Sequence, residues 1–244
     1  TEDTNEIAKS MYEAAEKLAL YTKRIYSKEK EMKGKKVLIV GENDSSRRNT
    51  SARASFEKGS KTPINTMEDA EKELKRIDGL SKVSSAIEIY LEDDWNTIRF
   101  LRVDGAPGSC PVTIKLNGHK WTINDTYRLT LKQNTLTIEG KVEGDDRNIN
   151  GTMTFTDSPS YPIYVRDGKL IVNNVDFVDC KCGKYGIMYA DTNSREGSTV
   201  DISDCTFRNC SASYGSCLTT ESPKADHVIL NNCTFIDCSA SSSG

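Results

Sequence analysis

The chain has little of what the simpler function classes require. No apolar run approaches the roughly 20 residues that a membrane-spanning helix needs. Thirty-three basic side chains against 36 acidic ones leave a net charge of −3, so the basic excess of a dedicated nucleic-acid binder is missing. Thr1 opens the chain without the basic, apolar and small-residue run of a secretion leader, so such a leader is expected to have been removed or never present. Histidine is limited to His119 and His227. They lie far apart in sequence, and a nucleophilic thiol wants an imidazole base beside it. Cysteine is nearly absent from the first two thirds, where Cys110 stands alone in a Pro-Gly-Ser-Cys-Pro stretch. The other seven, Cys180, Cys182, Cys205, Cys210, Cys217, Cys233 and Cys238, crowd into the last 65 residues. That region therefore differs in kind from the rest.

Charge divides the chain in the same sense. Residues 1–85 hold 18 basic and 15 acidic side chains, and residues 86–244 hold the remaining 15 and 21. Residues 1–34 read as an N-terminal helix, because Ile7, Met11, Ala14, Leu18, Tyr21 and Ile25 recur at alternating steps of four and three. Such a seam suits packing against the rest of the chain or self-association. Residues 35–65 read as a strand, Val37-Leu-Ile-Val40, followed by a polar linker across Glu42–Thr62. Phe56 is the linker's only large apolar residue, and no phosphate loop follows the strand. Residues 66–85 read as an amphipathic capping helix. Thr66 and Asp69 give a near capping box, and Met67, Ala70, Leu74 and Ile77 form one face. Placed before a strand-rich region, that helix would cover the end of a sheet.

Residues 86–244 carry an internal repeat. Leu170-Ile-Val-Asn-Asn-Val-Asp-Phe177-Val-Asp-Cys180 aligns without gaps with Val200-Asp-Ile-Ser-Asp-Cys-Thr-Phe207-Arg-Asn-Cys210. Val228-Ile-Leu-Asn-Asn-Cys-Thr-Phe235-Ile-Asp-Cys238 aligns with both. The Phe residues are 30 and 28 positions apart, and each precedes a Cys by three. Short alternating strands with Asn and Gly at the corners, at this period, predict turns of a right-handed parallel β-helix. A leucine-rich repeat would need a regular Leu framework that is missing. Weaker alternation upstream, beginning at Ala86–Leu91, brings the expected total to about six turns. Equivalent side chains should then stack about 4.8 Å apart. The expected ladders are Phe177, Phe207 and Phe235; Cys180, Cys210 and Cys238; and Cys205 and Cys233 beneath Val175.

Phe207-Arg-Asn-Cys-Ser-Ala-Ser-Tyr-Gly-Ser-Cys-Leu218 resembles the repeat of polymorphic outer membrane proteins and related adhesin-like surface β-helices. That family repeats Phe-x-x-Asn, small residues, and Gly-Gly-Ala with an aliphatic residue. Lys115-Leu-Asn-Gly-His-Lys-Trp-Thr-Ile123 is similar to the strand–turn–strand that opens many such domains. The resemblance covers about 160 residues (86–244), and Cys180, Cys210 and Cys238 stand where the family has Asn. It implies a parallel β-helix on a cell surface or secreted, with no cofactor.

The cysteines admit three readings. Buried thiols fill an inward ladder well, and disulfides suit a secreted chain. Zinc would have to use Cys180-Lys-Cys182, which has no equally spaced second pair. For catalysis, glycoside hydrolysis needs converging carboxylates. Asp176, Asp179, Asp201, Asp204 and Asp237 instead recur at outward or corner positions, alternating with Asn174, Asn209 and Asn231, as turn chemistry would have it. Asp145-Asp-Arg147 reads as an exposed turn. Sequons at Asn43, Asn49, Asn124, Asn150, Asn209 and Asn232 hint at a secretory route. The sequence-level expectation is thus a non-catalytic scaffold for adhesion or recognition. Its ligand would be a protein or glycan surface, with no nucleic acid, no membrane span and no metal or other cofactor. The repeat stops at Gly244, inside a copy, so a longer chain is expected. A structural subunit of a large intracellular assembly is the first alternative, and a polysaccharide lyase or hydrolase the second.

Overall fold

The computed structural model describes residues 36–40, 53–57, 60–64, 87–91, 94–97, 102–104, 109, 111–124, 129–142, 149–156, 160–191, 197–220 and 227–243. Among them the chain is built of strands and contains no helix. The helices expected within 1–34 and 66–85 lie outside the described residues, as does Cys110.

The strands form a parallel β-solenoid with three faces. Residues 112–191 wind through at least three turns, each giving one strand to each face. The turns run Val112–Lys115, Lys120–Asn124, Leu129–Lys132; then Thr135–Glu139, Gly151–Thr156, Ile163–Arg166; then Lys169–Asn173, Val175–Val178, Met188–Asp191. Strands Thr199–Ser203, Thr206–Arg208 and Leu218–Thr220 continue all three sheets in parallel register. His227–Asn231 and Thr234–Ile236 continue the first two. A fourth, two-stranded sheet pairs Ser211–Tyr214 with Ser239–Ser243.

Period-two alternation decides which side chains go inside. In Thr135–Glu139 the burial alternates strictly, with Leu136 and Ile138 inside. The first face therefore presents two apolar columns. One runs Val112, Leu136, Leu170, Val200 and the other Ile114, Ile138, Val172, Ile202, all at most 1% exposed. Each fully buried aliphatic side chain contributes roughly 1.5–3 kcal/mol, but only because the next turn covers it.

Corners are where the chain must reverse, and there the backbone is left-handed. Among the described residues nine that are not glycine have φ between 50° and 55°. Asn117, Asn174, Asp204 and Asn232 follow the first face; Asp179, Asn209 and Asp237 follow the second; Gln133 and Asp167 follow the third. Eight of the nine are Asn or Asp, the residues whose short polar side chains tolerate this conformation. Asn231, expected at an outward or corner position, is an exposed residue at the end of its strand, in register with Ser203, and the corner that follows is Asn232.

The N-terminal portion requires a correction. Glu42–Thr62, expected to be a linker, contributes strands Arg53–Glu57 and Ser60–Ile64. These form an antiparallel hairpin on the edge of Lys36–Val40, with Val37 opposite Phe56 and Leu38 opposite Ser55. Lys36–Val40 in turn pairs in parallel with Ile87–Leu91, so this strand belongs to the first sheet of the solenoid. The edge of that sheet offers unpaired backbone groups, and satisfying them outweighs the weak strand propensity of a polar segment. Pro63 sits in the outermost strand of the hairpin, where proline is tolerated.

Candidate functional site

The inward column of the second face is aromatic along most of its length. Phe177, Phe207 and Phe235 lie in register and stack, with ring centroids 4.9 and 5.0 Å apart. The same column continues through Met153 to Trp121 and Trp95, whose rings stack at 4.9 Å. The two indoles were not part of the expected ladder. Their N–H groups are buried without a hydrogen-bond partner among the described residues, an arrangement that costs about 1–3 kcal/mol per donor.

All seven described cysteines are free thiols. Cys180, Cys205 and Cys210 are buried, while Cys233 and Cys238 are partly exposed. Each of these five follows one local rule: its Sγ donates to the carbonyl two residues back and to a carbonyl of the preceding turn. Cys180 reaches Met153, Cys205 Val172, Cys210 Phe177, Cys233 Ile202 and Cys238 Phe207, at 3.4–3.7 Å. A thiol is small and apolar but also a weak donor, so it can serve a corner carbonyl that valine could not. Burial, reinforced by the neighbouring Cys210 and Cys217, pushes the Cys182 thiol up to about 12. Burial does the same to Cys205, also to about 12. Hydrogen bonding with Cys180 and with Cys210 raises Cys210 and Cys217 respectively. Protonated thiols are poor nucleophiles and poor metal ligands. Among the described residues no group of three or more His, Cys, Asp or Glu side chains is arranged to hold a metal ion.

Three of the recurring carboxylates, Asp176, Asp179 and Asp204, accept from an asparagine amide of a neighbouring turn. Asn209 Nδ2 donates to Asp179 Oδ1 and Asn232 Nδ2 to Asp204 Oδ1, both at 2.6 Å. Asn150 Nδ2 donates to Asp176 Oδ1 at 2.9 Å and Asn174 Nδ2 to Glu139 Oε1 at 3.0 Å. Three of the six sequon amides, those of Asn150, Asn209 and Asn232, are thereby used in bonds between turns. Asp145-Asp-Arg147 lies outside the described residues.

The outer surface of the third face carries a cluster that the sequence repeat did not reveal. Five tyrosines gather across three turns, Tyr164 and Tyr189 on that face and Tyr161, Tyr185 and Tyr214 at its border. Tyr164 and Tyr189 are register partners on adjacent strands, with centroids 5.8 Å apart. Tyr161, Tyr185 and Tyr214 form a second file beside them, stepping 5.8 and 6.2 Å. Backbone bonds fix that file: Tyr185 N donates to Ser160 O, Tyr214 N donates to Lys184 O, and Tyr185 and Tyr214 form an isolated parallel bridge. Cross-contacts at 4.8 Å (Tyr161–Tyr189) and 4.5 Å (Tyr185–Tyr189) join the two files. Polar groups border the patch. Lys184 Nζ lies 4.8 Å from the Tyr185 ring centroid, and Tyr164 Oη donates to Asp191 Oδ2 at 3.0 Å. Burial and then that bond raise the Tyr164 phenol to about 12. Tyr189 is buried beneath the others, and Tyr214 is 40% exposed.

Unequal loops hide the cluster from a search by constant period. Tyr161 to Tyr185 is 24 residues, Tyr185 to Tyr214 is 29, and Tyr164 to Tyr189 is 25. The usable signal was the aromatic at the second position of two strands, Ile-Tyr-Val and Met-Tyr-Ala. Set against family models, curated proteins and solved structures, the chain matches none of them.

Proposed function

We propose that this chain is a non-catalytic recognition scaffold, a surface-exposed or secreted adhesin-like β-helix whose tyrosine patch is its contact surface. In this reading the solenoid is right-handed, runs to about six turns and is preceded by the helical segments of 1–34 and 66–85. The patch is the single observation that carries the proposal. Tyrosine offers a large, rigid contact area at low entropic cost, with a polar tip for hydrogen bonding. Backbone pairing between adjacent turns holds these rings in place. Because the rings pack on one another, stacked around Tyr189 and tilted along the outer file, neighbours cover much of their faces and leave edges and hydroxyls outward. That arrangement favours a protein surface as ligand over a sugar, which stacks on open ring faces.

The test is a triple variant, Tyr161→Ser with Tyr185→Ser and Tyr214→Ser, compared with the parent on intact cells, on protease-treated cells and on a glycan array. The expected result is protease-sensitive binding by the parent, weakened about tenfold or more in the variant. Undiminished binding by a folded variant would overturn the role of the patch, and protease-resistant glycan binding would overturn the protein ligand. Seven free thiols favour the second reading, a structural subunit of an intracellular assembly. Titration of thiols on the unfolded, unreduced natural protein separates the two, because a secreted chain in an oxidising compartment would yield fewer.

A further inference from the structure

Four of the thiols form one connected group inside the solenoid. Cys210 hydrogen-bonds with Cys180 and with Cys217, and Cys217 also with Cys238. Cys180, Cys210 and Cys238 belong to one column. Ser211 N donates to Cys180 O and Ser239 N to Cys210 O, both at 2.9 Å. Cys217 comes from another wall: Met188 N donates to Cys217 O at 3.0 Å, which sets Cys217 over Ile187 where the third face begins. Cys210 and Cys217 are both buried in the core.

The direction of approach decides which of these contacts can become a bond. A disulfide needs Cβ atoms about 3.8 Å apart and a torsion near 90°, which the parallel Cβ vectors of stacked cysteines in one column suit poorly. Cys210 and Cys217 instead lie in one turn, seven positions apart. Ser211–Tyr214 and then Gly215, at φ 51°, carry the chain round between them. Their side chains therefore enter the interior from different walls and converge. Cys205 is nearer to Cys210 in sequence, five positions before it, but the fold parts them. Its Sγ donates to Val172 O and Ser203 O at the first corner, whereas that of Cys210 donates to Phe177 O and Arg208 O at the second.

We infer that Cys210 and Cys217 are a disulfide-forming pair that staples the turn of residues 199–220, seen in this structure in its reduced form. A small disulfide of the glutathione type is the oxidant. One protein thiolate attacks it, forms a mixed disulfide and releases one glutathione; the other protein thiolate then displaces the second glutathione. Two thiols become one S–S bond, two electrons pass to the oxidant, and the two thiol protons end on two glutathione molecules. Hydrogen bonding and then burial hold both protein thiols protonated in the folded chain, so exchange waits on opening of the turn. The pair is independent of the tyrosine patch: a secreted chain would carry the bond, and an intracellular one the thiols.

The test holds the reduced full chain in urea below its unfolding transition, with glutathione buffers graded from reducing to oxidising. A parallel sample with alkylating reagent alone sets the incubation time, which runs until Cys217 has reacted and the turn has thus opened. Remaining thiols are then alkylated, and the chain is cut after Tyr214, between the two cysteines, before mass spectrometry. The peptide pair joined through Cys210 and Cys217 should exceed every other cysteine pair about tenfold. In full denaturant the shorter loop should make Cys205–Cys210 at least as abundant, so the preference belongs to the fold. Below the transition, dominance of Cys205–Cys210, Cys180–Cys210 or Cys217–Cys238 overturns the pair. Complete alkylation of Cys210 and Cys217 at the most oxidising ratio overturns it as well.

Discussion

Trp121 shows how one residue can serve packing and still carry a cost. Its ring stacks on Trp95 and lies in register with Met153, but its indole N–H is buried without a partner among the described residues. Removing the ring should cost about 3–5 kcal/mol, whereas removing only the donor should cost little or even stabilise. Trp121→Ala is therefore expected to lower the denaturation midpoint strongly, and Trp121→Phe to leave it within about 1 kcal/mol of the parent in urea titration. A Phe variant as damaging as the Ala variant would show that the indole N–H has a partner after all. The thiols make a second residue-scale prediction. Cys182 and Cys205 are raised to about 12 in the folded chain, while an unfolded thiol titrates near 8.5. The unfolded state therefore loses protons first as pH rises. Stability should be flat below about pH 8.5 and fall progressively toward pH 12. Circular dichroism melts across that range test this, and Cys182→Ala with Cys205→Val should flatten the fall.

At the scale of elements, the hairpin Arg53–Glu57 with Ser60–Ile64 shows why polar sequence is a poor guide at a sheet edge. Nothing in its residue types demanded a strand; the edge of Lys36–Val40 did. Ser55 pairs on both sides, with Leu38 and with Thr62. Proline there removes a donor from the middle of the ladder, unlike Pro63 in the outermost strand. Ser55→Pro is expected to destabilise the hairpin by about 3 kcal/mol and to expose Lys36–Val40 to faster amide exchange. Unchanged exchange at those amides would mean that the hairpin does not protect the edge. Gly140 marks a second constraint on elements: a Cβ there would run into the Asn174 carbonyl of the next turn, so close approach of two backbones dictates the residue.

For the whole molecule, legibility in the sequence tracked the constancy of the repeat. Phe177, Phe207 and Phe235 were readable because side-chain type and spacing persist together, and the solenoid architecture followed from them. The ladder's continuation through Met153 to Trp121 and Trp95 was not, because residue type and loop length both change while the register does not. The tyrosine patch escaped for the same reason: loops of different length bring it together at the third face. Free thiols were one of three readings, and geometry alone distinguishes a carbonyl-serving thiol from a disulfide partner. Because each turn touches only its neighbours, stability should be graded along the axis. Amide exchange is expected to be slowest near Ile138 and Val172 and fastest in 227–243; a single rate throughout would contradict that.

Stacking turns by backbone hydrogen bonds has a mechanical consequence. Those bonds lie along the axis, so tension between the two ends loads the turn boundaries in series, and the weakest boundary yields alone. A released turn, 30 residues from Leu170 to Val200 for example, frees about 100 Å of extended chain in place of about 4.8 Å of axis. In a molecule pulled between two anchored surfaces each surrendered turn would therefore lengthen about twentyfold, letting out slack while the remaining coils keep their shape.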